Sequence, residues 1–184
     1  MDRFRGLKTV DGDLIKLARE WRFDVIAHGC NCFCKQASGL APQMVKAFGT
    51  DKSILEENRY IGDINKLGQI ELVIYIINKK GTALVLRTNS GDATRDPEFN
   101  SFAVVNMYTQ YRYGINHPDG QYTPFDYEAF TLCCRKLANK FKGKRVGLPW
   151  VGAGLAGGDK NKIADILKKE LDPYVDLTMV NYKI

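Results

Sequence analysis

The stretch GAGLAGG, residues 152–158, has the composition and position to do chemistry. It follows an apolar run, residues 146–150, and precedes a helix-like segment, residues 159–171. Strand, glycine loop, helix is the order that builds a phosphate site. Glycines let the backbone approach an anion and take positive φ at little cost. The N–H groups of the loop and of the next helix's first turn then point at the anion. The same composition also makes an ordinary strand-to-helix turn. It carries more weight because a second unusual loop, residues 28–40, follows an earlier apolar run.

That second loop, HGCNCFCKQASGLA (residues 28–41), opens with His28 and Asn31. A neutral-pH histidine suits proton transfer, although it can equally be satisfied by a backbone carbonyl. An asparagine at a strand end offers a carbonyl oxygen and an NH2 to a sugar hydroxyl. Gly39 permits close approach at the start of the next helix, a second anion-friendly N-terminus. Asp13, after Gly12 at a strand-to-helix turn, is a helix N-cap whose second oxygen is suited to accept from the exocyclic amine of a purine. His117 reads as a solvated turn residue, and Tyr127, Tyr111, Gln110 and Trp150 as residues that either line a cleft or pack.

The cysteines are placed for neither disulfides nor metal. Cys30, Cys32 and Cys34 alternate, Cys133 and Cys134 are adjacent, and the total of five is odd. Structural zinc favours C-x2-C or wider pairs, and alternating residues on an extended segment point to opposite faces. No metal and no cofactor are expected. Cys133 and Cys134, in a helical run with Phe130, Leu137 and Phe141, read as small core residues.

The elements that must position these residues alternate in type. Strands are expected at 7–10, 23–27, 70–77, 82–87, 102–108, 146–150 and 176–182. Helices are expected at 14–20, 39–48, 125–141 and 159–171, with Pro42 accommodated in a first turn. Residues 78–81 read as a hairpin turn. Residues 88–100, with Gly91 and Pro97, read as a surface loop or insertion, and residues 109–124 as another loop. This order predicts an α/β fold in three layers, α/β/α, around a central mixed, largely parallel sheet. Ligands in such sheets bind beyond the carboxyl ends of strands, where both unusual loops fall.

One domain, residues 1–184, accounts for a chain of 184 residues that is 45% hydrophobic. No run is long and apolar enough to span a bilayer, and the first residues are charged, so a cytoplasmic protein with no membrane partner is expected. The net charge of +6 suits phosphate-rich ligands as well as plain solubility. No basic block is long enough for a nucleic-acid tail, so nucleic acid is an open but disfavoured partner. A monomer is expected.

Taken together these residues resemble a macrodomain, the ADP-ribose-binding module, in order along most of the chain. Asp13 with Leu14 resembles the adenine-contacting turn. Asn31 with Ser38, Gly39 and Leu40 resembles the loop holding the distal ribose. Val151, Gly152, Ala153, Gly154, Leu155, Ala156 and Gly157 resemble the loop that cradles the diphosphate. Within the family, AHGCNC (residues 27–32) is similar to the ADP-ribose 1″-phosphate phosphatases of yeast and phage type. That resemblance implies hydrolysis of a terminal 1″-phosphate with His28 and Asn31 as the catalytic pair, and no metal.

The chain also departs from the family. Relatives that remove ADP-ribose from protein or DNA use a lysine where this chain has Thr109-Gln110. One protein-directed branch adds an aspartate where it has Ala156. Neither substitute is a lysine-like nucleophile. Gly157 and Asp159 resemble the DNA-directed branch, and the usual glycine triplet is reduced to Ser38-Gly39. The alternatives to a phosphatase are therefore a non-catalytic ADP-ribose reader and a hydrolase acting on ADP-ribosylated protein or nucleic acid.

Overall fold

The alternation of apolar strands and amphipathic helices resolves into a mixed sheet with helices on both faces. The computed structural model describes residues 3–52, 62–78, 83–87, 99–114 and 123–182. The strands are β1 (Arg3–Phe4), β2 (Leu7–Asp11), β3 (Val25–Asn31), β4 (Ile70–Asn78), β5 (Ala83–Arg87), β6 (Phe99–Gln110), β7 (Arg145–Leu148) and β8 (Asp176–Asn181). The helices are α1 (Leu14–Arg19), α2 (Ala41–Phe48), α3 (Tyr127–Lys140) and α4 (Lys160–Glu170), with a 3₁₀ turn at Ile64–Lys66.

The strand order is β1-β2-β8-β7-β3-β6-β4-β5. Pairing is parallel from β2 through β8, β7 and β3 to β6, and antiparallel at β1–β2, β6–β4 and β4–β5. The expected mixed, largely parallel sheet is therefore the observed one. Parallel central strands buried on both faces read as near-continuous apolar runs, which is why they stand out in the sequence.

Two cores flank the sheet. Leu14, Ile15 and Ala18 of α1 and Met44 and Phe48 of α2 pack with Ile26, Val104 and Phe102 on one face. Phe130, Cys133, Cys134 and Leu137 of α3 and Ile163 and Leu167 of α4 pack with Val25, Ala27 and Val105 on the other. All five cysteines are buried. Burial pushes the thiols of Cys32 and Cys133 up to about 12, so they stay protonated and act as apolar filler.

Several boundaries differ from expectation, each for a physical reason. β3 runs on through His28 to Asn31 because its backbone keeps pairing with β6, His28 opposite Asn106 and Asn31 opposite Gln110. His28 and Asn31 are thus strand residues and do not open a loop. Helix α2 begins at Ala41: Gly39 has φ +64, outside the right-handed helical region. Phe23 precedes β3 and packs against Gly147, where a Cβ would lie 2.6 Å from its ring. β6 includes Phe99, Asn100, Thr109 and Gln110, which read as loop residues. Phe125 and Asp126 precede α3, Phe125 bridging to Gln110. The short strand β1 has no periodic signal and was not anticipated. Residues 79–82 and 88–98 and His117 lie outside the described residues.

Among the described residues, no helix is long and apolar enough to cross a membrane.

Candidate functional site

A cavity of about 260 Å³ opens at the carboxyl ends of β3, β6 and β7. Its walls are the end of β3, the segment from Lys35 to Ala41, Thr109 and Gln110 of β6, and the glycine loop after β7. Of the residues singled out from sequence, His28, Asn31, Ser38, Gly39, Leu40, Val151, Gly152, Gly154, Leu155 and Ala156 line it. Asp13, Leu14, Ala153 and Gly157 stand outside that lining. Gln110 and Trp150 also line the cavity, whereas Tyr111 packs edge-on against Phe33.

The glycine loop is shaped by what lies beneath it. Gly152 has φ +80, and a Cβ there would fall 2.2 Å from Cδ2 of the buried Phe125. The loop closes on itself through Gly157 N–H to Gly154 O at 2.9 Å and Gly158 N–H to Gly152 O at 2.8 Å. The amides of Gly152, Gly154, Leu155 and Ala156 have no acceptor among the described residues. The opposite wall offers the same kind of group. Three helices are capped by an aspartate: Asp13 on α1, Asp126 on α3 and Asp159 on α4. Helix α2 has no side-chain cap, and the amides of Ser38, Gly39, Leu40 and Ala41 at its entry likewise meet no acceptor among the described residues. Both sets belong mainly to residues that line the cavity, and amides left without an acceptor are the kind of group suited to an anion.

Two expectations about these groups need correction, and a third, the capping by Asp13, is met. The first-turn amides of α4 do not face an anion, because the Asp159 carboxylate takes Asn161 N–H at 2.7 Å and Lys162 N–H at 3.3 Å. The loop supplies the donors without the helix. The Asn31 side chain is spent on its own chain: Oδ1 accepts from Phe33 N–H and Lys35 N–H, both at 3.1 Å, and Nδ2 donates to Lys35 O at 2.8 Å. It pins the turn after β3 instead of offering its amide to a sugar. Asp13 caps α1 with a single oxygen, Oδ1, which accepts from Ile15 N–H at 2.8 Å and Lys16 N–H at 3.0 Å.

His28 is 2% exposed, and its Nε2 lies 2.8 Å from Asn106 Oδ1. Asn106 Nδ2 donates to the Thr50 carbonyl at 2.8 Å, and the same carbonyl accepts from Gln36 Nε2 at 2.8 Å. Burial lowers the His28 pKa to about 4, opposed by the Asn106 bond. The imidazole is therefore neutral at pH 7. Behind it, Cys34 Sγ lies 3.7 Å from the Tyr108 hydroxyl, which donates to Glu71 Oε2 at 2.5 Å, and Lys66 Nζ lies 3.6 Å from Cys34 Sγ. Sequence reasoning missed Asn106, Glu71, Thr50, Gln36 and Lys66. The available signal was Asn106 and Glu71, polar residues inside runs otherwise apolar enough for a doubly covered strand.

The depressed His28 pKa makes stability depend on pH. Between the ordinary value of 6.5 and about 4, the unfolded chain binds a proton that the folded chain refuses. Its contribution is complete above pH 6.5 and is lost as pH falls to 4, by about 3 kcal/mol in all. Denaturant unfolding at about pH 7.5 and about pH 4.5 should show this loss in the wild type and a smaller one in His28→Gln. Equal losses in both would rule it out.

No protein-family profile matches the chain. Over 96% of its length it superposes on 98% of a Bacteroides thetaiotaomicron protein of unknown function, with a TM-score of 0.63 and 18% identity. It superposes on the macrodomain of Thermus aquaticus DarG (TM-score 0.56, 15% identity, 97% of this chain and 98% of that one). A mutant Oceanobacillus iheyensis macrodomain with ADPR gives 0.54 at 17% identity, covering 95% and 83%. The fold is that of the macrodomains, and the cavity lies between its first loop and its glycine loop. In sequence the chain is 31% identical over 175 residues, 91% of its length, to 89% of the uncharacterised 17.5 kDa protein of the tk-vs intergenic region of Enterobacteria phage T4. It belongs to the same family as that phage protein.

Proposed function

We propose that this chain binds ADP-ribose and hydrolyses the terminal phosphate of ADP-ribose 1″-phosphate, acting as a single-domain, monomeric, cytoplasmic phosphatase. The observation that carries this reading is a cavity whose lining combines two stretches of backbone amides with no acceptor among the described residues and a neutral histidine. One set of amides suits the diphosphate and the other a terminal phosphate. A ligand with anions at two points along its length uses both. The ADPR complex of the Oceanobacillus iheyensis macrodomain, which shares this fold, supports the choice of nucleotide.

In this reading the diphosphate lies on Gly152, Gly154, Leu155 and Ala156. The 1″-phosphate lies toward Ser38–Ala41, beside His28. Asn31 acts by holding the turn through residues 33–35. Adenine lies toward Asp13, whose second oxygen is the acceptor for its amine. Trp150, anchored by Nε1–H to Asn181 Oδ1 at 2.7 Å, walls that end. Thr109 and Gln110 stand where de-ADP-ribosylating relatives have a lysine, which argues against that chemistry.

The rival reading is a non-catalytic reader, and the 2% exposure of His28 is what favours it. The test is inorganic phosphate release from ADP-ribose 1″-phosphate, run beside calorimetric binding of ADP-ribose. Release with binding is the expected result. Binding without release would transfer the assignment to the reader, and absence of both would end the nucleotide reading.

A further inference from the structure

We infer that Asn106 is a positioning residue for His28, holding the ring as the Nε2–H tautomer so that Nδ1 is the atom that takes a proton from the attacking water. This rests on the phosphatase reading and says which way the proton moves. The Thr50 carbonyl can only accept, so Asn106 must turn its NH2 toward it and its Oδ1 toward the imidazole. An Oδ1 facing Nε2 at 2.8 Å requires the ring proton on Nε2. His28 is a residue of the cavity wall and Asn106 is not, and with Nε2 committed to Asn106 the ring nitrogen left to take a proton is Nδ1. Cys30 Sγ lies 3.7 Å from Nε2 and 3.9 Å from Nδ1, too long to compete strongly with Asn106 for the one or to occupy the lone pair of the other.

The ring's surroundings hold it neutral. The titratable groups around it are Cys30 on its own strand, Tyr108 on β6, Glu71 on β4 behind Tyr108, and Cys34 and Lys35 on the turn after β3. Lys66 of the 3₁₀ turn reaches Cys34. Among the described residues none is a charged partner of the imidazole: burial and the Asn106 bond govern its protonation. A neutral ring at pH 7 is a base at the start of the reaction. Water adds to phosphorus, and one of its protons passes to Nδ1. The bond from phosphorus to the ribose C1″ oxygen breaks, and that oxygen takes the proton back from the imidazolium. ADP-ribose and inorganic phosphate leave, with no other reactant consumed.

Two measurements on the full chain test this. Long-range ¹H–¹⁵N NMR reports both ring nitrogens, and with only two histidines in the chain His117→Asn assigns the signals. A bare Nδ1 and a protonated Nε2 above about pH 5 are expected from burial; an Nδ1–H tautomer overturns the proposal. The second measurement is the pH profile of kcat/KM for Asn106→Asp and Asn106→Leu, with folding checked by thermal unfolding. Asn106→Asp keeps an acceptor for Nε2–H and adds charge that favours the imidazolium, while Gln36 still serves the Thr50 carbonyl. Its acid limb should rise by about 1–3 pH units. Asn106→Leu should lose kcat with little change in KM. A folded Asn106→Asp with the wild-type profile overturns the proposal. A wild type showing the Nε2–H tautomer but no phosphate release would bring down the phosphatase reading, and with it the catalytic use of Nδ1, separately from the Asn106–His28 pairing.

Discussion

Replacing His28 by alanine should leave ADP-ribose binding close to wild type and cut phosphate release by about 10²–10⁴-fold, the span of a lost general acid–base group. The two effects separate because different atoms carry them. In the proposed reading binding rests on backbone amides of the glycine loop and of the entry to α2, which should keep their positions when a strand side chain is trimmed. In the proposed reading chemistry rests on His28, the one imidazole in the cavity wall among the described residues. Truncation also leaves Asn106 Oδ1 without its donor in a buried place, at a cost of about 1–3 kcal/mol. Folding must therefore be verified, and His28→Gln serves as the fuller-volume control. Turnover by a folded His28→Ala comparable with wild type would sink the assignment of chemistry to this residue.

Gly152→Ala should abolish ADP-ribose binding and lower stability by about 2–5 kcal/mol, from a strained left-handed conformation and overpacking together. The new methyl would meet three atoms of the Phe125 ring at 2.2, 2.3 and 2.7 Å, and φ is +80. Phe125 is fully buried, with Tyr127 and Phe130 against it, so the ring has nowhere to turn. The loop itself must lift, carrying its amides out of register with any anion. Gly154→Ala is the matched control. A Cβ there meets nothing within 4 Å, so stability should hold. Chemical denaturation and calorimetry on both variants check this. A Gly152→Ala protein as stable as wild type would show that the loop does not depend on this glycine.

How far the sequence is legible follows the range of the interactions involved. Asp13, Asp126 and Asp159 are readable as starts of helices, because a carboxylate reaches only two or three residues along its own chain to the amides it caps. The strands are readable from apolar runs, and the glycine loop from composition and from its place after a strand. Residues at a β3 terminus that runs on to Asn31 were not readable in the same way. Polar side chains look like the end of a strand until the partner strand is known. Here Asn106 accepts the His28 ring proton across 78 positions of sequence.

By itself, then, the sequence determined the layered α/β order, the Asp-capped start of α1 and the two loops that flank the cavity, all from interactions within a few residues or from burial patterns along one element. Only the tertiary structure decided the register of β3 on β6. That register sets His28 beside Asn106 and Cys30 beside Tyr108, and it aims Gly29 at the glycine loop, where a Cβ would fall 2.8 Å from Val151. It also decided that Asn31 would bond to its own turn and that α2, alone among the described helices, would present an uncapped end to the cavity. These are contacts between segments far apart in the chain. Their geometry is set by packing the whole sheet, and no local residue pattern encodes it.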